Sequence, residues 1–498
     1  MRYISTRGQS RPVTAAEALL TGLAPDGGLY LPEEFPESAA LNPFTAPSLT
    51  YRQLAGRILT MFLSDYTRAE LEECISQAYG SNFATPAITP VTMVDEKLGF
   101  LELWHGPTCA FKDLALQLLP HLLTAAARKM QFDREIVLLV ATSGDTGKAA
   151  LEGFKDVPGT RVIVFYPEDG VSTVQKRQMI TQEGTNTYVV GVTGNFDQAQ
   201  AGVKALFTNE AFQRELAAAG KTFSSANSIN WGRLVPQLVY YFKAWFDLCQ
   251  NHGLAPGETF NVVVPTGNFG NILAAYYGKK LGLPLHKLIC ASNRNNVLTE
   301  FIQTGVYNRN RQFYQTLSPS MDILVSSNLE RLLYDLVGAD PAPVRAYMDQ
   351  LQRQGSYQLT AAQKERLQKE FWAGFADEAE TTAAIKSVYE RYQYLLDPHT
   401  AVGYKVYRDY LEATGDDRPT IIASTASPFK FNQGVAQAVL GPEAAAVADE
   451  FALMEKLSAV TGVAMPAVLA GLRDKPVRHQ QVIAPAAMEE TVRTILGL

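Results

Sequence analysis

From residue 135 onward the apolar positions alternate between two patterns. Short β-branched runs, "EIVLLVA", "TRVIVFY", "TNTYVVGV" and "FNVVVP", are each followed by apolar residues at helical spacing, in "TGKAALEGF", "VSTVQKRQMI", "FDQAQAGVKALF" and "GNILAAYYGKKLG". "KLICAS" and "PTIIAS" continue the series. A strand buried on both faces reads as a continuous apolar run, and such strands alternating with helices form a parallel sheet covered by helices. An α/β fold follows. Sheets of this kind bind ligands at the carboxyl ends of their strands, so the strand-to-helix turns are where chemistry is expected.

Two regions depart from this rhythm. Pro341 to Gln393 is rich in Ala, Gln, Glu, Lys and Arg at helical spacing, with no strand candidate, and reads as a helical insertion. Ahead of residue 96 stand the helix "TAAEALLTGL", with Thr14 as its N-cap, and the turn-rich "APDGGLYLPEEFP". The expected division is an N-terminal domain over 1–95, an α/β core over 96–340 that includes a smaller lobe near 135–220, the insertion over 341–393, and a return to the core over 394–498.

Composition narrows the class. The 498 residues, 47% hydrophobic and 19% charged, are ordinary for a globular protein with sizeable cores. The 44 basic and 50 acidic residues leave a formal charge of −6, which argues against nucleic acid as a partner. No apolar run has the length of a membrane span and "MRYISTRGQSRPV" lacks a signal-peptide core, so a soluble, cytoplasmic protein is expected. The four cysteines and six histidines fall in no metal-ligand spacing, and neither a metal site nor a disulfide framework is expected.

Candidate chemistry lies in the turns. In "HGPTCAFKDLALQLL", Lys112 sits in an otherwise small, aromatic and aliphatic segment. With Thr108 as an N-cap it would lie in a first helical turn, where burial and the positive helix end lower the pKa of an amine. A neutral amine can condense with an aldehyde. The competing reading is a lysine paired with Asp113. "PTGNFGNILAA" follows the strand "FNVVV", and Gly267, Asn268, Phe269, Gly270 and Asn271 open a helix whose backbone N–H groups can cradle a phosphate. The near-copy "TGNFDQAQ" has Asp197 where the first has Gly270. A carboxylate there would repel phosphate and cap its own helix, so phosphate is assigned to the first turn and capping to the second. In both, Asn and Gly could instead serve geometry alone. "ATSGDTGKAALEG" fails as a nucleotide-binding P-loop, because Thr142 and Ala149 stand where a glycine and a metal-binding hydroxyl are needed. What remains is a helix start with Thr142, Ser143, Gly144, Thr146 and Gly147, suited to a carboxylate, with Asp145 in its midst without an assigned role.

These turns, together with "NSINWGR" at Asn227 to Arg233, "STASPFKF" at Ser424 to Phe431, and the opening "YISTRG" and "APDGGLYLP", occur in an order that resembles the threonine synthases, the longer bacterial and fungal type. The resemblance implies an α/β enzyme of fold type II, with parallel sheets flanked by helices in two lobes, that uses pyridoxal 5'-phosphate. It makes Lys112 the lysine that holds the cofactor as an internal aldimine, Gly267 to Asn271 the cofactor-phosphate loop, and Thr425, or failing it Ser424, the hydroxyl facing the pyridine nitrogen. A hydroxyl there leaves that nitrogen neutral and weakens the electron sink. The implied reaction turns O-phospho-L-homoserine and water into L-threonine and phosphate, the last step of threonine biosynthesis.

For the substrate, Thr142, Ser143, Gly144, Asp145 and Thr146 are candidates, and Asn227, Ser228, Asn230 and Arg233 are candidates for its phosphate. Alternatively Asn227 and Asn230 cap the following helix and Arg233 sits in an ordinary ion pair. Ser427 departs from the family, in which "TAHP" is common, and puts substrate contacts in question. Two other functions stay open: a phospho-lyase releasing 2-oxobutyrate, and a binding protein without catalysis. Oligomeric state has no signal in the chain.

Overall fold

The computed structural model describes residues 1–36, 49–168, 171–446 and 449–498. Two parallel sheets organise it. The larger runs, edge to edge, through Phe371–Phe375, Leu285–Ser292, Phe260–Pro265, Thr420–Ser424, Leu98–Glu102 and Val91–Met93, the last antiparallel. The smaller runs through Val482–Ile483, Thr187–Val192, Thr160–Pro167, Glu135–Ala141 and Lys221–Ser224, all parallel. This is the α/β architecture that the alternating pattern predicts.

The apolar runs became central strands because helices cover both faces. Every residue of Phe260–Pro265 and of Thr420–Ser424 is buried. At about 1.5–3 kcal/mol for each large aliphatic side chain removed from water, Val262, Val263, Val264, Ile421 and Ile422 fix the strand pairing. The helix Gln237–Asn251 packs on Gly270–Lys280 and Tyr51–Phe62. One apolar cluster runs from Tyr3 and Leu54 through Leu119 and Tyr241 to Leu288.

The expected boundaries are only partly visible. Val91–Met93 belongs to the larger sheet, so a division at residue 95 cuts through it. The 341–393 segment is not purely helical. Ser356–Gln358 pairs with Val306–Asn308, and Phe371–Phe375 forms the edge of the larger sheet beside Leu288 to Ser292. "FWAGF" has three aromatic residues of high strand propensity but no alternation and directly follows a helix, and it pairs because Phe371 and Ala373 are buried. The chain after residue 394 serves both sheets, supplying a central strand to the larger and, through Val482–Ile483 and the helix Met488–Leu496, an edge and a cover to the smaller.

At the N-terminus Thr14 caps Ala15–Thr21 as predicted, accepting the N–H of Glu17. Tyr3–Ser5 pairs with Tyr30–Pro32, and Thr6 and Arg7 bind the Glu330 carboxylate at 2.6 and 3.0 Å. This segment therefore braces the helix Leu329–Leu336, which follows a loop important to the site. Among the described residues no helix is long and apolar enough to cross a membrane.

Candidate active site

The turns singled out in the sequence meet between the two sheets. Lys112 follows the strand Leu98–Glu102, and its loop is joined to "STASP" by the backbone. Phe111 N–H donates to Thr425 O at 2.8 Å, Ser427 N–H donates to Cys109 O at 3.0 Å, and Ala110 and Ala426 form a bridge. Thr108 is not the N-cap expected of it. Its N–H and hydroxyl donate to Asp113 at 2.8 and 2.7 Å, and the helix that follows is the single turn Asp113–Leu116. The competing reading, Lys112 paired with Asp113, finds no support among the described residues, the carboxylate being turned back to Thr108. Pro120 lies in the first turn of the next helix, Leu119–Lys129.

Lys112 Nζ donates to Ser320 Oγ at 3.2 Å and lies 3.7 Å from Asp145 Oδ2. Burial pushes the amine down to about 8. Asp145 opposes that shift, and the positive charges of Lys430 and Arg233 add to it. Desolvation and nearby cations lower this amine, in place of the helix end expected to do so.

Asp145, whose role the sequence left open, is the local counter-charge. Its Oδ1 accepts from Lys430 Nζ at 2.6 Å and from Gln175 Nε2 at 2.9 Å, and Ser320 Oγ is 3.5 Å from Oδ2. Burial would raise this carboxyl, but Lys430 and Lys112 outweigh it and hold it well below the usual range. Lys430 also donates to Thr108 O at 2.9 Å, so one buried ion pair ties both catalytic loops to the smaller sheet. Within the same turn the Thr142 hydroxyl accepts the N–H groups of Gly144 and Gly147 at 3.0 and 2.9 Å. Thr142 is thus consumed by the turn. Gly144, with φ of 140°, is a position for glycine, and Ser143 and Thr146 are partly exposed.

The "GNFGN" loop ends the strand Phe260–Pro265 and opens the helix Gly270–Lys280. Left-handed geometry falls on Phe269, with φ of 63°, and on neither glycine. Gly267 is needed for space instead, since a Cβ there would lie 2.7 Å from Ser320 O. The first-turn N–H groups of Gly270 and Asn271 have no intrahelical acceptor. Asn271 Oδ1 accepts from the Tyr240 and Tyr241 hydroxyls, while its Nδ2 is buried without a partner among the described residues. A buried helix start with a spare donor fits a phosphate. Asn268 is fastened by its carbonyl, which accepts from Asn328 N and Nδ2, each at 3.1 Å.

The near-copy behaves as expected in outcome and differently in means. Asn195 rather than Asp197 caps Phe196–Thr208, in a capping box with Gln198, and Asp197 is exposed in the first turn.

"NSINWGR" divides between structure and function. Asn230 is structural, capping Trp231–Leu234 and donating to Leu19 O at 2.9 Å. Arg233 is in no ion pair among the described residues. It is buried, Nη1 donates to Ala226 O at 2.6 Å, Nε has no partner, and burial pushes it down to about 10. A buried guanidinium without a counter-ion is a receptor for an anion. Asn227 is exposed, and its Oδ1 accepts from Ile229 N and Ser228 Oγ, both at 3.3 Å. Asn328 Nδ2 donates to Ser228 Oγ at 3.2 Å, joining this loop to "GNFGN".

In "STASP" the Ser424 hydroxyl accepts from Trp104 Nε1 at 3.2 Å and lies 3.4 Å from Thr400 Oγ1. Thr425 has only its backbone so engaged, which favours it over Ser424 as the free hydroxyl. Ser427 Oγ is buried without a partner among the described residues. Ser320, Asn328, His399 and Lys430 escaped sequence reasoning. Lys430 and Asn328 lay in polar stretches following strand ends or loops, and only tertiary structure brings them to Lys112 and "GNFGN".

Comparison with known proteins identifies the family. The family pattern described as Threonine synthase N terminus matches residues 2–79, Pyridoxal-phosphate dependent enzyme matches 94–425, and Threonine synthase, C-terminal matches 400–495. Threonine synthase-like 1 of Homo sapiens is 44% identical over 434 residues, which cover 85% of this chain and 58% of that protein. The chain thus spans well under two thirds of that relative. Threonine synthase of Pseudomonas aeruginosa is 38% identical over 442 residues, 89% of this chain and 91% of that one. Among solved structures, PLP-bound threonine synthase from Brucella melitensis superposes with a TM-score of 0.88 at 37% identity, covering 100% of both chains. Threonine synthase from yeast gives 0.89 at 33% identity, covering 100% of this chain and 99% of that one.

Proposed function

The chain belongs to the threonine synthase family of pyridoxal-phosphate-dependent enzymes, and from that premise we propose that it converts O-phospho-L-homoserine and water to L-threonine and phosphate. The observation that carries this reading is one buried amine, Lys112, with its pKa lowered to about 8, close to two separate candidate anion receptors. One receptor is the helix start at Gly270 and Asn271. The other is the unpaired Arg233. A phosphorylated cofactor and a phosphorylated substrate need two such sites around one reactive centre.

Lys112 would hold pyridoxal phosphate, the backbone of Gly267 to Asn271 its phosphate, and Thr425 its ring nitrogen. Bound there, the cofactor supplies an electron sink for carbanions next to the substrate nitrogen. The chain's own groups do the rest. An amine lowered toward neutral pH can take a proton from the substrate α-carbon and return one. Asp145 keeps Lys112 and Lys430 from repelling one another out of place. Ser143 and Thr146 would bind the substrate carboxylate, and Asn227, Ser228 and Arg233 its phosphate. Keeping the released phosphate beside Arg233 lets it orient the water that adds to the β-carbon.

Incubation with O-phospho-L-homoserine in oxygen-labelled water, followed by mass spectrometry, tests the assignment. Labelled threonine should form in step with phosphate. Phosphate released mainly with 2-oxobutyrate and ammonia would move the chain to the phospho-lyase reading, in which Ser427 fails to hold what a histidine holds. No phosphate at all would favour a binding protein without catalysis. As domains we propose 1–95, 96–340, 341–393 and 394–498, with Val91–Met93 and Phe371–Phe375 joining the larger sheet across those boundaries.

A further inference from the structure

A histidine outside every turn considered so far is tied to the reactive lysine. His399 is buried in the first turn of the helix Pro398–Thr414. Asp397 Oδ1 is 2.8 Å from His399 Nδ1 and accepts the His399 N–H at 2.9 Å, while Oδ2 accepts from the Thr400 hydroxyl. A carboxylate on Nδ1 fixes the neutral tautomer that carries its proton there and leaves Nε2 as an acceptor. Nε2 accepts the backbone N–H of Ser320 at 3.2 Å. Ser320 Oγ in turn accepts from Lys112 Nζ at 3.2 Å. The ring is braced edge-on by Phe431, with centroids 4.8 Å apart.

Ser320 sits at a crowded point. It belongs to the short turn Pro319–Met321, and its carbonyl is the atom that a Cβ on Gly267 would meet at 2.7 Å. The turn is therefore held between Lys112 and the phosphate loop. A lysine side chain has many rotamers, and burial alone does not choose among them, whereas proton transfer needs one geometry.

We propose that His399, oriented by Asp397, is a positioning residue for Lys112: it fixes the Ser320 turn so that the hydroxyl faces the amine. The proposal rests on Lys112 being the reactive amine and not on which product forms.

His399→Leu removes the acceptor, and His399→Gln replaces it with an amide oxygen able to receive the Ser320 N–H. In the full chain without cofactor, acetylation of Lys112 by acetic anhydride is followed by mass spectrometry across pH, alongside thermal melting. The leucine variant should show its acetylation midpoint at lower pH than wild type, because the ammonium loses a fixed hydroxyl acceptor, and glutamine should restore it. In the cofactor-loaded protein, kcat should fall tenfold or more for leucine with KM changed less than twofold, and glutamine should recover most of the rate. A wild-type midpoint in the leucine variant overturns the proposal, as does a glutamine variant as impaired as leucine. If the leucine variant does not fold, Asp397→Asn keeps a capping side chain and is read the same way. A displaced midpoint with phosphate but no threonine formed supports the positioning role and counts only against the assigned product.

Discussion

Lys430 and Lys112, the proposed reactive amine, share one carboxylate, so a change at Lys430 is expected to shift Lys112. Lys430 Nζ is 2.6 Å from Asp145 Oδ1, while Lys112 is 3.7 Å from the other oxygen. Lys430→Met removes a like charge from the neighbourhood of Lys112 and leaves Asp145 to it alone. Both changes favour the ammonium. An amine works as a base only when neutral, so the acid limb of the kcat profile should move to higher pH, by about one pH unit. A limb that stays in place would show that Lys430 does not tune Lys112. Lys112→Ala should abolish turnover and leave a folded protein, checked by phosphate release and circular dichroism. Gly267→Ala should weaken cofactor binding and lower the melting temperature, because the new methyl meets the backbone of Ser320 and Met321 at 2.7 and 3.3 Å and neither can step aside cheaply. A cost of about 1–3 kcal/mol is expected for such overpacking.

At the scale of elements, the two "GNF" turns make a matched pair. Gly270→Asp places a carboxylate at the buried helix start and should reduce cofactor affinity by at least a hundredfold in a titration of cofactor-free protein. Asp197→Gly alters an exposed first turn and should change only stability, by about 1 kcal/mol. Equal affinities in the two variants would mean the wrong turn was chosen. This pair also shows what a linear sequence reveals. Continuous apolar runs announced six strands, because burial on both faces leaves an unmistakable pattern. "FWAGF" left none, its pairing being decided by the burial of Phe371 and Ala373 against neighbours remote in the chain. Similarly, Lys112 and "GNFGN" could be singled out by local composition. Lys430, Ser320 and His399 could not, because a polar residue's task is set by what the fold places opposite it. Asn230 and Arg233 stood in one motif with two readings open, phosphate ligands or a cap and an ion pair, and only burial and partners separate the cap at Asn230 from the guanidinium without a counter-ion among the described residues at Arg233.

At the scale of the whole molecule, the active amine is a burden on stability. A lysine held at about 8 against an ordinary 10.5 favours its neutral form in the folded protein. Below pH 8 it is charged in both states, and folding bears the full cost of burying that charge. The cost fades as pH rises from 8 to 10.5. Lys112→Met should therefore melt higher than wild type in cofactor-free protein at pH 7, by roughly 2 kcal/mol, with the difference narrowing above pH 8. A variant no more stable than wild type at pH 7 would contradict the burial assigned to this amine.

The edge strand Val482–Ile483 bears on how such a chain comes into being. Thr193 donates to Ile483 O although 290 residues separate them. A chain growing from its N-terminus completes Thr187–Val192 long before its neighbour exists. Until then that strand presents an open row of N–H and C=O groups, with Val189, Val190 and Val192 beside it, which is a template for pairing with another molecule. The central strand Thr420–Ser424 likewise arrives late between Phe260–Pro265 and Leu98–Glu102, which must wait apart. Nascent chains are thus at their most adhesive until Val482–Ile483 emerges, and yield in a host cell depends on protection during that interval as well as on the strength of the finished fold.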